Sequence, residues 1–178
     1  MSNAGAKPDE SKLLTKQFLM FLGIGLVLAT SLAFFFYLGS KDSALAVNGE
    51  ILKVRTVELS PKNVFVMTDF RIRNTSNVPF SLREALIFVT LADGKEIEGH
   101  TVSRPDIENI FKFTPLAGPQ YNKVLAMSDR VAGKVAIDRM AGATFAYDEK
   151  DLVTRKAMRL HLTDMDGKEF DLLERKAQ

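Results

Sequence analysis

Two histidines, His100 and His161, are the residues of this 178-residue chain that chemistry would most readily recruit. An imidazole serves as a general base or a metal ligand near neutral pH, so a site of either kind would use one of them. On extended strands alternate side chains share a face, which puts His100 with Glu96 and Glu98, and His161 with Arg159 and Thr163. Exposed surface histidine is the expectation for both, because no third ligand or catalytic partner is placed nearby by spacing. Asp164-Met165-Asp166-Gly167 opens like a calcium loop. The third oxygen ligand and the closing Glu are missing, however, which leaves a tight hairpin turn. Asn74-Thr75-Ser76 has the glycosylation spacing and is read as a turn after a strand.

Other chemistries are excluded more directly. The chain has no Cys, which removes disulfides, thiolate nucleophiles, iron–sulfur clusters and thiolate zinc sites. It contains no glycine-rich phosphate loop, no Ser nucleophile elbow and no carboxylate pair with an identifiable partner. Lys plus Arg number 24 against 22 Asp plus Glu, and they are scattered, so there is no nucleic-acid footprint. The expectation is a protein that is not an enzyme, with no metal or other cofactor and no nucleic-acid partner.

The elements that would position any site begin with an apolar run. No Asp, Glu, Lys, Arg or His occurs from Phe18 to Gly39, and a helix over that stretch spans about 30 Å, the thickness of a hydrocarbon core. Phe18 and Phe21 near one end, and Phe34, Phe35, Phe36 and Tyr37 near the other, place aromatic rings at the two interfaces. Lys16 and Lys41 bracket the span. A cleaved signal peptide competes with this reading, since Ala44-Leu45-Ala46 has the small-x-small form. The length of the run and the intervening Lys41-Asp42 favour a retained span. Lys7, Lys12 and Lys16 before it, against Lys41 just after, favour a cytoplasmic N-terminus. In a bacterium the following domain is then periplasmic, on the inner membrane. The organisation expected is a cytoplasmic tail over 1–16, a transmembrane helix over 17–39, a hinge over 40–46, a β-sandwich over 47–174 and a tail over 175–178. Gly25, Ala29 and Ala33 recur every four residues, forming a smooth stripe on which another membrane helix can approach closely.

After the hinge, Asn48-Gly49, Asp93-Gly94 and Asp166-Gly167 are three hairpin signals, because tight turns need positive φ. Strands are expected over 51–59 and 64–74; in the second, Val66, Thr68, Phe70 and Ile72 share one face while Asp69, Arg71 and Arg73 share the other. Residues 85–91 read as a central strand buried on both faces, pairing with a strand over 96–102. Pro105, Asp106 and Glu108, with Ile107, Ile110 and Phe111 at helical spacing, predict one short helix over 103–112 covering an open end of the sheet. Further strands are expected over 123–127, 131–138, 144–147, 157–163 and 169–173. That many short strands suit a two-sheet antiparallel sandwich, so the fold class is mainly β.

The run Phe70-Arg71-Ile72-Arg73-Asn74-Thr75-Ser76-Asn77-Val78-Pro79, an apolar strand, and then Asp93-Gly94-Lys95 resembles immunoglobulin-like, membrane-associated accessory domains of bacteria. These include telokin-like and late-embryogenesis-abundant type 2-like sandwiches. Gly133-Lys134-Val135-Ala136-Ile137 and Asp164-Met165-Asp166-Gly167-Lys168 extend the likeness over most of residues 50–174. It implies an immunoglobulin-like sandwich in a binding or accessory role, with no catalytic residues. The function expected is a membrane-anchored, non-catalytic accessory or scaffolding subunit of a larger respiratory, photosynthetic, transport or secretion assembly. Its partners would be the lipid bilayer and other membrane-protein subunits, met through the helix and the sandwich. The alternative is a free-standing tethered binding module for a periplasmic ligand, peptide or envelope polymer.

Overall fold

The structure, a computed structural model, describes residues 10–41 and 44–174. Most of the expected N-terminal tail, part of the hinge and the tail over 175–178 lie outside the described residues. The chain divides into two compact units, at residue 43.

The first unit is helix α1 (Glu10–Lys41). It runs past the apolar segment at both ends, because Lys12, Leu13, Leu14, Lys16 and Gln17 are themselves good helix formers. Its 20-residue stretch Phe18–Tyr37 is long and apolar enough to cross a membrane, and every side chain in it is exposed. Thr30 donates its hydroxyl to the carbonyls of Leu26 at 2.8 Å and Val27 at 3.0 Å, so the helix satisfies this polar group itself.

The second unit is a mainly β, antiparallel two-sheet sandwich. One sheet has the order β1 (Val47–Ser60), β2 (Asn63–Asn74), β7 (Ala136–Phe145), β5 (His100–Thr101). The other has the order β4 (Glu96–Glu98), β3 (Phe80–Thr90), β8 (Ala157–Asp164), β9 (Glu169–Leu173), with β6 (Arg130–Val131) pairing β3. In immunoglobulin lettering these orders are A-B-E-D and C′-C-F-G, the arrangement of that fold. Val66, Phe70, Ile72, Ile87, Val89, Leu160 and Leu162 fill the space between the sheets.

Several elements differ from expectation, each for a non-local reason. β2 is not half-buried: residues 64–70 are all inaccessible. Its outward Phe65 and Met67 pack with Val57, Ile107, Ala117, Val124 and Met140 in a second cluster. Helix α2 (Arg104–Phe113), capped by Ser103, supplies Ile107 to that cluster, so it covers the outer face of the first sheet rather than an open end. A second short helix, α3 (Glu149–Val153), buries Leu152 in the inter-sheet core.

Asn48-Gly49 does not turn; it lies within β1, opposite Arg73 and Ile72. A Cβ on Gly49 would sit 1.9 Å from the Arg71 carbonyl oxygen, so glycine serves close strand approach there. The β1–β2 turn falls instead at Pro61-Lys62, with Lys62 at φ 59°. Asp93-Gly94 and Asp166-Gly167 do turn, with glycine φ of 94° and 81°. The expected strand over 96–102 breaks into β4 and β5, which belong to opposite sheets. The crossing residue is Gly99, whose Cβ would meet the Phe145 ring at 2.4 Å.

Residues 85–91 are buried on one face only, through Ile87, Val89 and Leu91. Residues 123–127 form no strand, contributing a single bridge from Val124 to Met140. The strands expected over 131–138 and 144–147 are instead β6 and a continuous β7, parted by a turn with Lys134 at φ 61°.

Gly49→Ala forces β1 off β2 and is expected to destabilise the domain by about 1–3 kcal/mol. Thermal unfolding followed by far-ultraviolet circular dichroism checks this. An unchanged midpoint would mean that the β1–β2 spacing has slack.

Candidate functional site

Strand alternation turns Leu160 and Leu162 of β8 into the core and Arg159 and His161 outward, while Thr163 on the same face is buried. Pairing then sets Arg159 beside Phe88 and Leu173, and His161 beside Leu86 and Asp171. Arg159 is the centre of this face. Its guanidinium carbon lies 4.2 Å from the Phe88 ring centroid. Nη2 donates to both Glu96 carboxylate oxygens at 3.1 Å, and Nη1 donates to Asp171 Oδ1 at 3.1 Å. That same Asp171 oxygen is 2.8 Å from His161 Nδ1, while His161 Nε2 lies 3.9 Å from Glu169. Phe88 meets the His161 ring edge-on at 6.4 Å.

Burial pushes the Asp171 carboxyl up, but hydrogen bonds from His161 and Arg159 and their attraction outweigh it, so Asp171 sits below the usual carboxylate range. Burial also works against the Arg159 charge; Glu96 and Asp171 more than offset it and raise the guanidinium above its ordinary value. The result is a hydrogen-bonded relay that links β4, β8 and β9, with Phe88 of β3 against the guanidinium. A carboxylate-held imidazole is the base-and-orienter half of a hydrolytic site. Among the described residues, the side-chain polar partners of His161 are the carboxylates of Asp171 and Glu169.

A second constellation lies beneath the outer layer. Arg55 donates to Asp69 Oδ2 at 3.1 Å and to the carbonyls of Ala117 and Pro119 at 2.9 Å each, while Asn122 donates to Asp69 Oδ1 at 2.9 Å. The guanidinium also lies against the rings of Phe111 and Tyr121. This arrangement clamps the 115–122 segment to β1 and β2.

The sequence-predicted residues fare differently. His100 is exposed as expected, but on β5 of the first sheet, away from Glu96 and Glu98 of β4. The expectation of an exposed, unpartnered His161 is overturned: its side chain is 18% exposed and paired to Asp171. Asp164 is buried and accepts from the amides of Ser81 and Asp166, which closes a hairpin. Among the described residues no group of three or more His, Asp or Glu is arranged to hold a metal. Asn74 is fully buried, donating to Val78 and Val131 carbonyls and accepting from Ser76, so its amide is built into the turn. Gly25, Ala29 and Ala33, with Phe18, Phe21, Phe34, Phe35, Phe36 and Tyr37, all lie exposed along α1. Sequence reasoning missed Arg159, Glu96, Asp171, Arg55 and Asp69. The alternation Arg159-Leu160-His161-Leu162-Thr163 marked the outward face, but its partners are set by cross-strand register.

No protein-family model matches the chain, and no curated protein does. Among solved structures, the structural-genomics target SoR45 is similar at TM-score 0.36 and 14% identity, covering 75% of this chain and 84% of that one. A Bordetella pertussis protein bearing the ApaA name is similar at TM-score 0.35 and 14% identity over 74% and 89%. An uncharacterised β-sandwich protein of Clostridium difficile gives 0.26 and 14% over 74% and 82%. At such identities and TM-scores none of the three transfers a function.

Because the folded Asp171 carboxyl lies below its unfolded value of about 3.9, the unfolded chain binds more protons through that range and stability rises with pH. The contribution is complete above the unfolded value and is lost as pH falls through the folded one. Asp138, lowered by its hydrogen bond from Arg71, acts in the same sense. Asp171→Asn is expected to flatten the dependence of melting temperature on pH through the acid range, and Asp138→Asn to flatten it further. Equal slopes for wild type and both variants would contradict the pairing.

Proposed function

We propose that the chain is a membrane-anchored, non-catalytic accessory or scaffolding subunit. The observation that carries the reading is the complete exposure of the apolar stretch Phe18–Tyr37. Such surface is unfavourable in water at about 25 cal/mol per Å², and a bilayer removes that cost. A signal sequence meets the same test of length and apolarity; the long run and the Lys41-Asp42 interruption favour retention. The lysine asymmetry favours a cytoplasmic N-terminus, which in a bacterium puts the helix in the inner membrane and the sandwich in the periplasm. The A-B-E-D and C′-C-F-G strand orders support an immunoglobulin-like sandwich, and the likeness of the Phe70–Pro79 and Asp93-Gly94-Lys95 runs supports the finer reading as a telokin-like or late-embryogenesis-abundant type 2-like accessory domain.

In this reading the helix packs on partner helices along Gly25, Ala29 and Ala33. A Cβ added at Gly25 would meet nothing within 4 Å, so the helix's own packing makes no demand for glycine there. The second reading, a free-standing tethered binding module, is favoured by the sandwich closing both core clusters with its own residues. It differs in requiring nothing of the helix beyond insertion.

Lipid is as apolar as Leu, so helix association depends on close approach and dispersion contacts. Ala29→Leu and Ala33→Leu are expected to weaken copurification of partner subunits from mild detergent, while Leu28→Ile leaves it unchanged and all three still insert. Wild-type recovery of partners with both variants, or a chain that elutes alone at native expression, would sink the accessory-subunit reading in favour of the tethered module.

A further inference from the structure

β1 is an edge strand of the first sheet. In an antiparallel pair one residue in two directs its N–H and C=O away from the partner. On the free side of β1, among the described residues, the one bridge made is from Ile51 to Glu174, just past the end of β9. Beyond it the edge opens into a cleft of about 530 Å³ lined by residues 56–61, Leu116 and Glu149. Natural sheets blunt such edges with charge, proline, bulges or a covering element; β1 carries Glu58 and bulges at 51–53 and 58–60, is followed by Pro61, and keeps a regular register over residues 53–58 between the bulges.

The two walls of the cleft differ in chemistry, and the difference has the period of a strand. Val57 belongs to the outer cluster, and the 3₁₀ turn Pro115–Ala117 brings up Leu116, which is 83% exposed, to make that wall apolar. Thr56 and Glu58 stand opposite Val66 and Val64, which face the inter-sheet core, so their side chains take the inner side. There Glu149 of α3 accepts the Thr56 hydroxyl at 3.0 Å and makes the inner wall acidic together with Glu58.

We propose that this edge is a β-augmentation site for an extended segment of a partner protein in which apolar and basic residues alternate. The added strand pairs its main chain with β1 over residues 56–60. Its apolar side chains lie against Val57 and Leu116, and its Lys or Arg side chains lie against Glu58 and Glu149. Main-chain pairing supplies affinity, and the period-2 alternation supplies specificity. The inference deepens the reading of the sandwich as an interaction domain by naming the chemistry of what it holds, and it does not depend on helix packing.

The test uses the full-length chain in detergent and a short, fluorescently labelled peptide alternating valine and lysine. Binding by anisotropy is expected, with slowed exchange of amides between Thr56 and Ser60. N-methylating alternate peptide amides leaves charge and protein untouched but removes strand hydrogen bonds, and is expected to weaken binding about tenfold or more. Glu58→Lys and Leu116→Asp alter exposed side chains and are expected to weaken it comparably, with an unchanged circular dichroism spectrum. A valine–glutamate peptide is expected not to bind. No binding by the valine–lysine peptide, equal binding by its N-methylated form, or protection that falls elsewhere overturns the proposal. Copurification through the helix is read separately, so either result can fail alone.

Discussion

Asp69 sits mid-strand in β2 with 2% exposure, on the side turned away from the space between the sheets. A carboxylate removed from water at that depth is tolerable only with its lone pairs occupied and its charge opposed. Arg55 and Asn122 meet that requirement from two different parts of the chain. Arg55 in turn spends its other terminal nitrogen on the carbonyls of Ala117 and Pro119. One buried charge therefore dictates where the long excursion between the sheets must return. The apolar residues of that excursion, Ile107 and Ala117, then shield Phe65, Met67 and Met140. Such a pair is weak evidence of net stability, since hydrophobic replacement of both members is often tolerated, whereas removing one member alone leaves a buried charge unopposed.

From this clamp follows the three-layer build. β2 is buried on both faces, so neither sheet presents an outer face like the other's. The first sheet is covered by the α2 segment, while the second exposes the Arg159 relay. The clamp also holds the 3₁₀ turn against β1, and so sets Leu116 beside the strand edge. Shielding of the outer core and shaping of the edge cleft are two results of one guanidinium.

What was legible in the sequence was what local chemistry decides. Asp93-Gly94 and Asp166-Gly167 turn because the demand for positive φ is local, as is the Pro105 start of α2. Asn48-Gly49 carries the same letters, yet its glycine answers to the Arg71 carbonyl on the neighbouring strand, which no local pattern reports. Gly99 likewise looks like part of a strand until the Phe145 ring beneath it is known. Alternation puts Asp69 on the face opposite Phe70, but that face is covered at Asp69 because the excursion folds back over it, which no local pattern reports. His161 was assigned its face correctly, and its partner Asp171 was hidden because β8–β9 register is a tertiary fact.

The two surfaces of the sandwich suited to contact differ in what a partner would have to displace. On the Arg159 face, Arg159 already holds Glu96 and Asp171, and Asp171 holds His161, so a charged partner must break internal hydrogen bonds or add to a face whose remaining groups are mostly acidic. Exposed ion pairs return little, commonly below about 1 kcal/mol each, which makes that exchange nearly neutral. On the β1 edge the outward amides and carbonyls over residues 56–60 make no further backbone hydrogen bond among the described residues. Replacing water with a strand keeps every hydrogen bond, releases solvent and buries Leu116, whose exposure is otherwise a standing cost. Recognition by the edge can therefore gain from both walls and the backbone at once, whereas the Arg159 relay is better suited to keeping the second sheet in register.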